Sequence, residues 1–245
     1  MSFGRKLMQT YFNIAYNKVY DFTTARLNCY RKLQERCVGK LELKDNDKVL
    51  CVGIGTGNEV FHILEMSRNV SITGVDYSST ALRKAYKKAL SLGKEIALLL
   101  MDARKLVFAA GSFDKVLCLH VMDFIEENTE VTSEIIRVLK TGGQFVITYP
   151  SDKEGPKLGF KLLKDSVSYS INSSSRFRSF LTLAAQIAAG TVYLPLLFRP
   201  KKRSYSRHEL QTMITELTTG EFQIEEDAVY QDFIVYGTKI KIEGG

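Results

Sequence analysis

Cysteine is scarce in this chain of 245 residues: Cys29, Cys37, Cys51 and Cys118 are all there is, and no two stand at C-x-x-C spacing. That spacing argues against a zinc site, and the four read as reduced structural thiols in a reducing, cytoplasmic compartment. Also missing is a continuous apolar core after the first basic residues, so no cleavable secretory signal is expected. Acids are few in the first forty residues, as in a transit peptide, but Tyr11, Tyr16 and Tyr20 recur at roughly helical spacing. We expect that segment to be a helical part of the mature protein. The net charge is +7, from 34 basic and 27 acidic residues. No stretch interleaves Lys and Arg with aromatics as a nucleic-acid face would, so nucleic acid is not an expected partner.

What is present is a glycine-rich turn. VLCVGIGTGNE, Val49 to Glu59, runs from an apolar strand pattern (Lys48 to Val52) into Gly53, Gly55 and Gly57, and then into NEVFHILEM. Val60, Ile63, Leu64 and Met66 have helical spacing. Strand, glycine loop and helix open a nucleotide-binding α/β sheet, where the missing Cβ atoms let a ligand approach the backbone. A second strand, in Val70 to Ser78, ends at Asp76, about 20 residues beyond the loop, where a carboxylate can accept ribose hydroxyls and would repel a 2′-phosphate. Position 58 is Asn rather than the Gly or Ala of a dinucleotide fingerprint, and no Gly-Lys-Ser/Thr follows, which excludes a P-loop.

These residues resemble the class I S-adenosylmethionine-dependent methyltransferases, closely over Lys48 to Pro150 and more loosely over the whole chain. The resemblance implies S-adenosyl-L-methionine as cofactor and S-adenosyl-L-homocysteine as product. It places Gly53, Gly55, Gly57 and Asn58 at the cofactor, Asp76 on the ribose, Tyr77 beside the adenine, and Asp102 with Ala103 at the adenine amino group after a third strand. A fourth strand in FDKVLCLHV brings Leu119 and His120 to the same edge. A fifth, in RVLKTGGQFVITYP, follows a helix closed by two glycines. One position departs from the pattern. Two residues before the first glycine, where the resemblance implies an acid near the methionine ammonium, stands Cys51, leaving weaker binding or a substitute acid as the two readings.

The implied fold is a Rossmann-like, seven-stranded, mostly parallel sheet with helices on both faces. One domain is expected: an N-terminal helical cap over 1–45, a cofactor core over 46–150, a substrate-cap insert over 151–204, and a terminal helix and strand pair over 205–245. In the last part, Ser206 and Glu209 form a capping-box pattern, and the alternation after Phe222 supplies two strands. His208 in that turn is expected at the surface, and His62 to be structural.

The insert holds an uncharged run, Phe180 to Phe198, between Arg176 and Arg178 on one side and Arg199, Lys201, Lys202 and Arg203 on the other. Gln186, Gly190, Thr191 and Pro195 interrupt it, which argues against a membrane span. Two readings stand: a buried cap over the active site, or a cap that also touches a membrane surface through 176–203. Both make the substrate hydrophobic, a small molecule or a lipid. His120, Tyr16, Tyr20 and Tyr149 are the candidate bases or orienting groups, no metal ligand set is evident, and the oligomeric state is not legible. The acceptor atom, C, O or N, stays open. The alternatives are a non-catalytic cofactor-binding homologue, which Cys51 favours, and a nicotinamide-dependent oxidoreductase, which Asn58 and the lack of a Tyr-x-x-x-Lys dyad oppose. A nucleic-acid methyltransferase ranks last, since LHVMDF stands where an Asn/Asp-Pro-Pro-Tyr/Phe motif would be.

Overall fold

The computed structural model describes residues 10–152 except 26 and 68, residues 164, 165, 168 and 192, and residues 203–240 except 219 and 229–231. Among them a π-helical turn (Phe12–Tyr16) leads into α1 (Asn17–Thr24) and α2 (Asn28–Gly39). The core then runs β1 (Lys48–Val52), α3 (Asn58–Met66), β2 (Ser71–Asp76), α4 (Ser79–Ser91), β3 (Ala97–Leu100), β4 (Phe113–Cys118), α5 (Asn128–Val138) and β5 (Leu139–Tyr149). It closes with α6 (Arg207–Leu217), β6 (Phe222–Glu226) and β7 (Phe233–Thr238).

The seven strands form one sheet in the order β3-β2-β1-β4-β5-β7-β6, in which β7 alone runs against the direction of the other six. β1 is apolar almost throughout because both its faces are covered. Leu50 and Val52 join the apolar cluster under α5 and α6, while Val49 and Cys51 join the one under α2 and α3. Alternate side chains of one strand thus feed two separate cores, and the helices cover both faces as expected.

Chain order reverses between β1 and β4. β1 pairs with β2 on one side and β4 on the other, so the loops leaving the carboxyl ends of β1 and β4 splay to opposite sides and leave a crevice between them. Ligands of open parallel sheets bind at such a switch point.

One expected boundary moves. Gly142 and Gly143 do not close α5, which already ends at Val138. They lie inside β5, where Leu139 faces Phe113 while Gln144 faces Lys115, so β5 bulges against β4. Gly142 takes a left-handed φ of 79° there and donates to the Lys239 carbonyl beside β7. A bulge needs such a residue as readily as a helix end does.

The capping box forms, with Ser206 and Glu209 bonding reciprocally at the start of α6, and His208 is exposed. His62 is buried in α3 beside Glu65. All four cysteines are free thiols. The run 180–198 lies outside the described residues apart from Val192, whose carbonyl accepts the hydroxyl of Tyr11. Asp165 of the same insert accepts the backbone N–H of Cys29 at 3.0 Å. No helix among the described residues is long and apolar enough to cross a membrane.

Candidate active site

Three left-handed glycines turn the chain from β1 into α3: Gly53, Gly55 and Gly57 have φ of 69°, 55° and 75°. Gly53 is also hemmed in sterically. A Cβ placed on it would lie 2.1 Å from Cγ2 of Val121, in the loop after β4, so no larger residue fits where the two switch-point loops touch. The N–H groups of Gly53 and Ile54 both donate to the carbonyl of Val75 in β2, at 2.8 and 3.0 Å.

Under this turn is a cavity of about 30 Å³ lined by Gly53, Ile54, Gly55, Thr56, Asn58 and Glu59, by Leu119 after β4, and by Tyr20, Tyr30 and Gln34 of the N-terminal helices. Those helices are tied down over it. Asp21 accepts the hydroxyl of Thr56 at 2.5 Å and pairs with Lys88 at 3.1 Å; Asn17 donates to Ser78 at 2.8 Å; Asn58 donates to Thr24 at 3.4 Å.

Asp76 ends β2 beside the loop. One carboxylate oxygen accepts the N–H of Gly55 at 2.9 Å and the other that of Ser78 at 2.8 Å. Burial raises its pKa, with the N–H donors of Ser78, Gly55 and Tyr77 acting the other way. Tyr77 continues into an aromatic wall: Phe12 packs edge-on against Tyr77, Tyr16 and Phe124, with centroids 5.9, 4.8 and 5.2 Å apart. Asp102 lies two residues past β3, half-exposed, and its carboxylate is engaged by Arg104, which also reaches Glu127 at 3.0 Å. Ala103 beside it is buried.

His120 follows β4 in a left-handed conformation, φ 55°, with its N–H held by the Thr148 hydroxyl at 2.8 Å. Its Nδ1 is 3.1 Å from Asp232 and 3.5 Å from Asp123, and its ring stacks on Tyr30 at 5.3 Å. Tyr30 in turn shares a 2.5 Å hydrogen bond with Tyr20, whose ring lies 5.3 Å from that of Tyr16. Burial would lower the His120 pKa, but hydrogen bonds and charge from Asp123 and Asp232 outweigh it and push it up to about 10. His120 is therefore an imidazolium at neutral pH. The fourth candidate, Tyr149, is not brought to this place. It is fully buried in the core under α5, its hydroxyl sharing a 2.6 Å bond with Thr132.

Two acids that sequence reasoning did not single out complete the site. Asp232, only 2 % exposed at the entry to β7, holds His120. Glu59, 8 % exposed in the first turn of α3, faces the cavity, and burial pushes its pKa up to about 7.

Residues 50–147 match the family described as "Methyltransferase domain". They hold both switch-point loops and Asp76. They form a methyltransferase domain, similar to those of the class I S-adenosylmethionine-dependent enzymes. Around this methyltransferase domain the chain is similar to phosphatidylethanolamine N-methyltransferase of Cereibacter sphaeroides, 32 % identical over 53 % of this chain and 62 % of the relative. It is likewise similar to the ubiquinone/menaquinone biosynthesis C-methyltransferase of Geotalea daltonii, 29 % identical over 59 % of this chain and 63 % of the relative. The chain thus matches less than two thirds of either relative's length. Magnesium protoporphyrin IX methyltransferase of Synechocystis PCC 6803 shares the fold, with a TM-score of 0.64 at 13 % identity over 96 % of this chain and 98 % of that one.

The cofactor of the methyltransferase domain is S-adenosylmethionine, and the donor set fits it. The cofactor has a ribose, an adenine and an ammonium-bearing amino acid but no pyrophosphate. The loop offers a backbone cradle, a carboxylate at the ribose end of the turn and a second, buried carboxylate facing the cavity.

Proposed function

We propose that the protein is an S-adenosylmethionine-dependent methyltransferase acting on a carbon, oxygen or nitrogen atom of a hydrophobic small molecule or lipid-like acceptor. The observation that carries this reading is the cavity itself: glycine backbone and the buried carboxylate of Glu59, with the aromatic rings of Tyr20 and Tyr30 also in its lining. The two curated relatives, whose names specify a phospholipid amine and quinone biosynthesis, support the acceptor class.

When bound, the cofactor supplies a methyl group already activated by a sulfonium leaving group. The chain's part is then to bind, orient and exclude water. In this reading Gly53, Gly55, Gly57 and Asn58 line the cofactor, Asp76 accepts the ribose hydroxyls, and Tyr77, Asp102, Ala103 and Leu119 border the adenosyl portion. Tyr16 and Tyr20 close the wall against water. His120 carries its proton at neutral pH, so it orients a polar group of the acceptor instead of removing a proton from it. The basic residues at 176–203, which lie outside the described residues apart from Arg203, are the proposed contact with a lipid surface.

The test is to incubate the protein with methyl-labelled S-adenosylmethionine and either phosphatidylethanolamine vesicles or a total lipid extract, then to partition the products. Label in the organic phase is expected. Label confined to the aqueous phase overturns the lipid-like acceptor, and cofactor binding without transfer to any fraction overturns the enzymatic reading.

A further inference from the structure

The cavity beside the glycine turn has one acidic side chain among its lining residues, Glu59. Glu59 is the second residue of α3, in the first turn, where an anion meets the positive end of the helix dipole. That would explain an exposed glutamate, but this one is 8 % exposed. It has no ion pair among the described residues: the nearby lysine, Lys88, is committed to Asp21 and to the side chain of Asn58. A carboxylate removed from water without a cation is costly to keep. Glutamine would fill the same volume without a charge to desolvate.

The surroundings show which charge is wanted. Asp76 and His120 are close enough to act on Glu59 electrostatically, with opposite signs, and neither neutralises it by contact. Cys51, at the end of β1, is buried, and burial together with the charge of Glu59 keeps its thiol protonated. Cys51 therefore adds no negative charge to that of Asp76 beside Glu59; an acid in its place would repel Glu59 further.

We propose that Glu59 is the acceptor for the α-ammonium of the cofactor's methionine portion, in place of any acid on β1. The proposal rests on the S-adenosylmethionine assignment above and extends it to one residue and one functional group. An ammonium has three donors and a full charge. It supplies the missing counter-ion, and the carboxylate supplies a charge-assisted hydrogen bond in a place shielded from water. On the other side of the loop, Asp76 is left to the ribose, so the two carboxylates divide the cofactor between its two ends.

The test uses two ligands that differ in the amino-acid portion, which holds this group. S-adenosylhomocysteine carries the ammonium, whereas 5′-methylthioadenosine keeps adenine, ribose and thioether and lacks the whole amino acid. Calorimetric titration of wild type and Glu59→Gln with each ligand is the experiment. The substitution is expected to weaken S-adenosylhomocysteine about tenfold or more, the size of a lost charged hydrogen bond, and to leave 5′-methylthioadenosine within twofold. The retained second affinity also shows that the variant is folded. Equal loss for both ligands, or no loss for either, overturns the proposal while leaving the cofactor assignment in place. A wild-type protein that binds neither ligand overturns the cofactor assignment, and this proposal with it.

Discussion

Nδ1 of His120 stands 3.1 Å from the carboxylate of Asp232, a residue 2 % exposed and more than a hundred positions later in the chain. The pair joins the loop after β4 to the strand pair that closes the sheet. It also sets the protonation state of the site's best-placed imidazole.

Replacing Asp232 by Asn is expected to lower the His120 pKa from about 10 toward its ordinary value. The sign follows from linkage. A histidine whose folded pKa lies above its unfolded value stabilises the fold fully below about pH 6.5, and that contribution is lost as pH rises through about 10. The variant should lose about 2 kcal/mol near neutral pH, Asp123 still being in place. Its stability should also depend less on pH between those limits. Denaturant melts from pH 6 to 10, with NMR titration of the His120 ring, check both.

Asp76→Asn is expected to weaken S-adenosylhomocysteine by at least about 1 kcal/mol. Because the ribose is common to both ligands, 5′-methylthioadenosine should weaken equally. Calorimetric titration distinguishes this uniform loss from the selective one expected at position 59.

Gly53→Ala puts a methyl group where Cγ2 of Val121 already lies, on a backbone with φ of 69°. A cost of about 2–3 kcal/mol is expected from strain and overlap together. Adding Val121→Ala should recover part of it by removing the overlap but not the strain. Thermal melts of the single and double variants measure this; equal stability would deny that the two loops touch.

Tyr149→Phe should cost about 1 kcal/mol of stability through the lost Thr132 hydrogen bond and leave kcat unchanged. Tyr20→Phe removes a hydroxyl bonded to Tyr30 at the cavity wall, and is expected to raise KM with little effect on stability. Steady-state kinetics beside denaturant melts separate the two tyrosines.

The sheet was legible because its signals are local: β1, β2 and β4 fall on the apolar runs, the glycines mark the turn, and Asp76 ends its strand. The bulge at Gly142 was not, since a glycine pair after a helix looks the same whether it stops the helix or bends the next strand. Only the ladder to Lys115 distinguishes them. Tyr149 could have been placed in the core from parity, because it shares a face with Phe145 and Ile147. Asp232 gave no signal, as its partner is brought to it by the closing strand. Glu59 was hidden by a commonplace, an acid in the first turn of a helix. The neutral Cys51 was the hint that an acid had to come from elsewhere.

The cap over the glycine turn makes the cavity a shared structure. Its wall of Tyr20 and Tyr30 belongs to the N-terminal helices, which the Asn17 to Ser78 and Asp21 to Thr56 bonds hold to the sheet. The width of the space beside the glycines is thereby coupled to two hydrogen bonds made by residues of α1, one of them to the loop after β2 and the other to the glycine turn itself.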